Sequence, residues 1–159
     1  MRDIFRQVAT KKNPKAPKPA GRLDDQLCFA LYAATNAITR MYRPLLSELG
    51  LTYPQYLVLL VLWEGSPRRL GEIAAELDLA SHAVTPIIDR LEETGLVKRT
   101  KDPADGRAVA VELTMRGREL ESSAITIQRT MRSATQMRDE DIVALRDELR
   151  GLADRLHED

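Results

Sequence analysis

One cysteine, Cys28, stands among 159 residues, and all four tyrosines, Tyr32, Tyr42, Tyr53 and Tyr56, follow it within 28 positions. The reactive form of a thiol is its thiolate, which a free cysteine reaches at a pKa of about 8.5. Phenolic hydroxyls that donate hydrogen bonds to the sulfur stabilise that thiolate and lower the value. Cysteine and tyrosines together are therefore a candidate reactive-thiol site. The plainer reading makes Cys28 a small buried hydrophobe and the tyrosines interface packing with satisfied hydroxyls.

The element that must carry Cys28 is helical. From Leu23 the residues Leu27, Leu31, Ala34, Ile38, Met41 and Leu45 form one long apolar stripe, with Asp24 or Asp25 as the cap and Pro44 kinking or restarting the helix. Near the helix start the dipole favours a Cys28 thiolate, while Asp24 and Asp25 oppose it. Tyr32 is one turn from Cys28. Tyr42 lies fourteen residues on, roughly 21 Å along a helix rising 1.5 Å per residue, so an antiparallel partner chain brings it to the sulfur more readily than its own chain does. A helix this long has little to bury against in one small domain, and dimerisation is its natural use. Thr52 and Gln55 have capping-box spacing and open a nearly all-apolar, buried helix through Trp63.

A second group of residues could bind nucleic acid. Leu70, Ile73, Ala74 and Leu77 make a short amphipathic helix. Ser81 is the expected N-cap of the next one, whose inward stripe is Val84, Ile87, Ile88 and Leu91 and whose stop is Gly95. Its outward face offers Ser81, His82, Thr85, Asp89 and Arg90. After Gly95 the period becomes two, with a hairpin from Leu96 to Leu113 turning at Asp102–Gly106 and carrying Lys98, Arg99, Lys101 and Arg107. Two short helices followed by a basic hairpin form a winged helix-turn-helix, which places a helix in the DNA major groove while Arg107 probes the minor groove. Ser66-Pro67-Arg68-Arg69 reads as the loop leading into it.

This stretch resembles the MarR family of bacterial repressors, in which Asp105 and Arg107 fall at the wing-tip Asp-x-Arg. The runs Gln26–Ala34, Tyr42–Leu46 and Leu51–Tyr56 sharpen the resemblance to the organic hydroperoxide resistance regulators (OhrR) within that family, over roughly residues 23–155. The resemblance implies that Cys28 is the peroxide sensor, and that Tyr42 and Tyr53 reach it from the other subunit of a homodimer, with Tyr32 coinciding as well. It further implies an operator-binding repressor, not an enzyme, that silences a peroxidase gene until an organic hydroperoxide oxidises Cys28. With no second cysteine the chain is of the one-cysteine type. Its sulfenate must meet a small thiol, cyclise to a sulfenamide or oxidise further. His82 and Ala83 stand where a glycine and a threonine are usual in the subfamily, so the resemblance does not extend to the base preference.

Composition limits the alternatives. Residues 1–22 hold seven Lys/Arg and one Asp, net +6, and residues 23–159 hold 17 Lys/Arg against 23 Asp/Glu, net −6. The first segment, rich in proline and lysine, reads as a disordered basic tail. One cysteine and two histidines leave no intrachain disulfide and no ordinary zinc site, and no cofactor is implied. The absence of a long apolar run or a secretory signal predicts a cytoplasmic protein without a membrane anchor.

Beyond Thr114, an expected N-cap, amphipathic helices are predicted at Met115–Gln136 and Asp139–His157. The expected plan is a mainly α fold with a small β-wing, in which residues 52–114 form the winged module and 23–50 with 115–159 form a helical dimerisation layer. Two competitors remain: a MarR-type repressor released by an aromatic or phenolic ligand, with Cys28 structural, and a thiol peroxidase, which lacks a resolving cysteine.

Overall fold

A computed structural model describes residues 21–102, 105–106 and 108–157. The tail before Gly21, and Arg107 at the wing tip, lie outside the described residues. The chain divides into two compact units, Met1–Ile38 and Thr39–Asp159.

In the first unit a 3-10 turn, Leu23–Asp25, precedes α1, Leu27–Ser47, which runs on into the second unit. Asp24 and Asp25 were expected to cap α1. They lie instead in the turn, which closes with Gln26 N–H donating to the Leu23 carbonyl (3.1 Å), and the α1 ladder begins when Ala30 N–H bonds to Gln26. Pro44 neither stops nor restarts the helix. Its ring removes a single amide donor, and the flanking ladder continues to Ser47.

The second unit is built around α2, Tyr53–Glu64, whose Tyr56, Val58, Leu59 and Leu62 are fully buried. The capping box is present: Thr52 N–H donates to Gln55 Oε1 (2.8 Å) and Gln55 N–H to Thr52 Oγ1 (3.4 Å). Around α2 follow β1 (Arg68–Arg69), α3 (Leu70–Glu76), α4 (Ser81–Glu93), β2 (Val97–Lys101), β3 (Val109–Leu113), α5 (Met115–Glu119), α6 (Glu121–Ala134) and α7 (Asp139–His157). Ile73, Val84, Ile88, Leu91, Val97, Val111 and Leu113 close one core with α2. Burying such apolar side chains stabilises by about 1.5–3 kcal/mol each.

Three further local expectations needed correction. Arg68–Arg69 is a strand, not a loop, pairing antiparallel with Val111 and Ala110 so that the sheet order is β1-β3-β2. Strand pairing across more than forty residues has no local signal in a dipeptide. Ser81 is the first residue of α4, and Ala80 occupies the cap position without a side-chain bond. The predicted helix Met115–Gln136 is two, α5 and α6, joined at Leu120. Trp63 accounts for the break, because its indole N–H donates to the Gly117 carbonyl (3.0 Å) and takes that acceptor from the helical ladder. Gly117 itself lies so close to the Leu96 carbonyl oxygen that a Cβ would stand 2.1 Å from it, which only glycine tolerates. Gly95 ends α4 in the left-handed region at φ +72°, as its position predicted.

Candidate functional site

The recognition face begins with two short helices that share the core. α3 opens with Arg69 N–H donating to Glu72 (2.8 Å), and the link to α4 passes through Asp78 in the left-handed region at φ +54°. α4 buries Val84, Ile88 and Leu91. That register turns Ser81 and His82 to solvent, while Thr85 is half-buried and its hydroxyl donates to the Ser81 carbonyl (3.1 Å). Thr85 therefore keeps only acceptor capacity outward.

The cations expected to meet DNA are not equivalent. Arg90 pairs with Glu93 one turn on (2.6 Å). Arg99 is clamped by α4: its guanidinium binds Asp89 (2.5 Å) and Glu92, and its amide donates to Glu92 Oε1 (2.9 Å). Lys98 pairs with Glu112 across the hairpin (3.2 Å). Lys101, beside them on β2, is exposed and has no ion pair among the described residues. The carboxylates hold the Arg90 and Arg99 guanidiniums above their ordinary pKa, each chiefly by its hydrogen bond to Glu93 or Asp89.

The wing is anchored at its root by Asp102, a buried carboxylate. Arg69 Nε donates to one of its oxygens (2.5 Å) and Asp105 N–H to the other (2.8 Å). Asp105, expected as a DNA-facing residue, thus also closes the turn. Reasoning from sequence overlooked Asp102, although an aspartate directly before a proline is the usual sign of a side chain closing its own turn. The pairing of Asp89 and Glu92 with Arg99 was hidden for another reason: the arginine that binds them sits on another element.

The tyrosines expected around Cys28 divide. Cys28 is exposed in the first turn of α1, and Tyr32 is exposed as well. Tyr42, Tyr53 and Tyr56 cluster in the second unit. Ring centroids are 5.0 Å apart for Tyr42–Tyr53, 5.5 Å for Tyr42–Tyr56 and 6.2 Å for Tyr53–Tyr56, and Tyr56 meets Trp63 edge-on at 6.4 Å. Burial first, then the neighbouring Tyr56 and Tyr53 phenols, pushes the Tyr42 hydroxyl well above the ordinary phenol value of 10.0. Burial and Tyr56 raise Tyr53 in the same sense. Both remain protonated at neutral pH and so can donate hydrogen bonds.

Comparison with known proteins decides the family. Residues 51–109 match the MarR family model. The chain is 38% identical over 137 residues to the organic hydroperoxide resistance transcriptional regulator of Bacillus subtilis, covering 86% of this chain and 93% of that one. The chain belongs to the MarR family. Another MarR-type relative, the HTH-type transcriptional regulator TtmR of Methylorubrum extorquens, is 46% identical over 135 residues, 85% of this chain and 69% of the relative. Among solved structures, reduced AbfR bound to DNA matches with a TM-score of 0.69 and 33% identity over 85% of this chain and 94% of that chain. The MarR-type winged helix-turn-helix expected from residues 70–114 is therefore the fold of the chain, and its class is a transcriptional regulator. Among the described residues no helix is long and apolar enough to cross a membrane.

Proposed function

We propose that this MarR-type regulator is a repressor that binds operator DNA as a homodimer and is released when an organic hydroperoxide oxidises Cys28, derepressing a gene for peroxide detoxification. Tyr42 and Tyr53 carry the reading, as two adjacent phenols kept protonated chiefly by burial and, in both, by the neighbouring Tyr56. They stand at the positions where the resemblance to OhrR puts the sensor's hydrogen-bond donors, in a chain 38% identical to one such regulator. The cysteine is supplied by the facing subunit.

The chemistry balances without a cofactor. The Cys28 thiolate attacks the outer oxygen of the hydroperoxide, the O–O bond breaks, and the alkoxide leaves and takes a proton to become an alcohol. Cys28 is left as a sulfenate, which takes up a proton from water and, as the sulfenic acid, condenses with a small thiol to a mixed disulfide with loss of water. A bulkier adduct at a subunit interface disturbs the packing that sets the spacing of the two recognition helices.

Dimerisation is supported by apolar surface that the chain leaves open. On α1 only Leu46 is buried while Leu27, Ile38 and Met41 are exposed, and α7 buries no residue and exposes Val143, Leu145, Leu149 and Leu156. DNA binding is supported by the exposed Ser81 and His82 and by the DNA-bound AbfR neighbour.

The test is operator binding at one stated salt concentration, by reduced wild type and Cys28→Ser, with and without an organic hydroperoxide. Release of the wild type alone, reversed by an excess of a dithiol reductant that cleaves the mixed disulfide, is the expected result. If both proteins stay bound, Cys28 is structural and release by an aromatic or phenolic ligand becomes the better reading. Failure of reduced protein to bind any DNA from its own upstream region sinks the repressor assignment.

A further inference from the structure

The Tyr56 hydroxyl is the one buried side-chain polar atom without a hydrogen-bond partner among the described residues, and the residue is 1% exposed. A buried hydroxyl left unpaired costs about 1–3 kcal/mol, whereas phenylalanine would fill the same space at no such cost. The ring has Tyr42 at 5.5 Å and Tyr53 at 6.2 Å, and the two rings about Tyr42 are tilted at 37° and 46° to it. The Tyr56 hydroxyl is near enough to raise the Tyr42 phenol, by its charge and by a weak hydrogen-bond approach, yet it falls short of full bonding geometry.

We propose that Tyr56 is a positioning donor behind Tyr42: when Tyr42 turns its own proton toward the Cys28 sulfur, its oxygen accepts a hydrogen bond from the buried Tyr56 hydroxyl. The proposal rests on the redox reading above and adds a residue to it. A phenol that accepts one hydrogen bond is polarised into a stronger donor of its own, so the pair stabilises a thiolate more than Tyr42 alone. It also fixes the rotation of the Tyr42 hydroxyl, which ring packing by itself leaves free. The orphan hydroxyl thereby gains its partner in the same step that makes Tyr42 effective.

The experiment measures the pH profile of Cys28 alkylation by iodoacetamide and the rate of its oxidation by cumene hydroperoxide in full-length dimer, for wild type, Tyr42→Phe, Tyr56→Phe and the double variant. Tyr56→Phe is expected to show a thermal midpoint no lower than the wild type and to keep the operator affinity of the reduced protein. It should raise the apparent thiol pKa and slow oxidation roughly threefold to tenfold, the size of one hydrogen bond. In the Tyr42→Phe background it should add nothing, because the relay has already lost its middle member.

A shift with Tyr42→Phe and none with Tyr56→Phe overturns the proposal and leaves the redox reading standing. Equal, additive effects of the two substitutions overturn it too, since independent donors add. If neither single variant moves the profile, the tyrosine-assisted sensor itself fails.

Discussion

At the scale of single residues, partly buried phenols give the reading a physical handle. Tyr42 and Tyr53 have folded-state values raised above 10.0, mainly by burial. The unfolded chain ionises these phenols near the ordinary value of about 10. A raised native value means that the folded state resists losing those protons. Their contribution is therefore complete below about pH 10 and is lost as pH climbs from there toward the native values. Urea unfolding at pH 8 and again just above pH 10 should show the wild type losing stability over that interval. Tyr42→Phe with Tyr53→Phe should lose distinctly less, and equal losses in both proteins would show that other groups dominate alkaline unfolding.

At the scale of elements, the wing and the recognition helix behave as one piece. Arg99 on β2 holds Asp89 and Glu92 on α4, while Asp102 at the end of β2 is held by Arg69 of β1. Cations already matched by carboxylates release few counterions when DNA arrives, whereas an unpaired lysine on the same strand contributes in full. Each phosphate neutralised on duplex DNA steepens the salt dependence of log K by about 0.9. Lys101→Ala should accordingly reduce the slope by close to that amount. Arg99→Ala should lower affinity by loosening the wing yet change the slope by less than half as much, read from fluorescence anisotropy across a salt series. Arg99→Ala giving the larger change in slope would mean that the clamp opens and that Arg99 does meet phosphate.

At the scale of the whole molecule, the apolar residues that stay in water direct attention to assembly. Leu145 is 49% and Leu149 39% exposed, and they recur one turn apart on a helix with no buried residue. Uncovered leucines at helical spacing are a seam awaiting a second surface. Leu145→Glu with Leu149→Glu should halve the sedimenting mass from dimer to monomer and weaken operator binding. The far-ultraviolet dichroism should stay close to wild type, because neither side chain supports the core around α2. A variant that remains dimeric would move the interface elsewhere.

How much of this was legible in the chain follows from where each interaction is encoded. Thr52 with Gln55, the stripe Val84–Ile88–Leu91 and the stop at Gly95 are local patterns, satisfied within one helix or its ends, and the sequence by itself determined them. The motif order from Leu70 to Leu113 likewise determined the winged fold, since successive short elements with these periods have few ways to share a core. Tertiary structure alone decided that Arg68–Arg69 joins the sheet, that Trp63 divides α5 from α6, and that Arg99 faces α4. It alone decided that the Tyr56 hydroxyl is stranded beside Tyr42. Each of these depends on atoms brought together from distant positions, and no periodicity or spacing along a chain records which distant groups will meet.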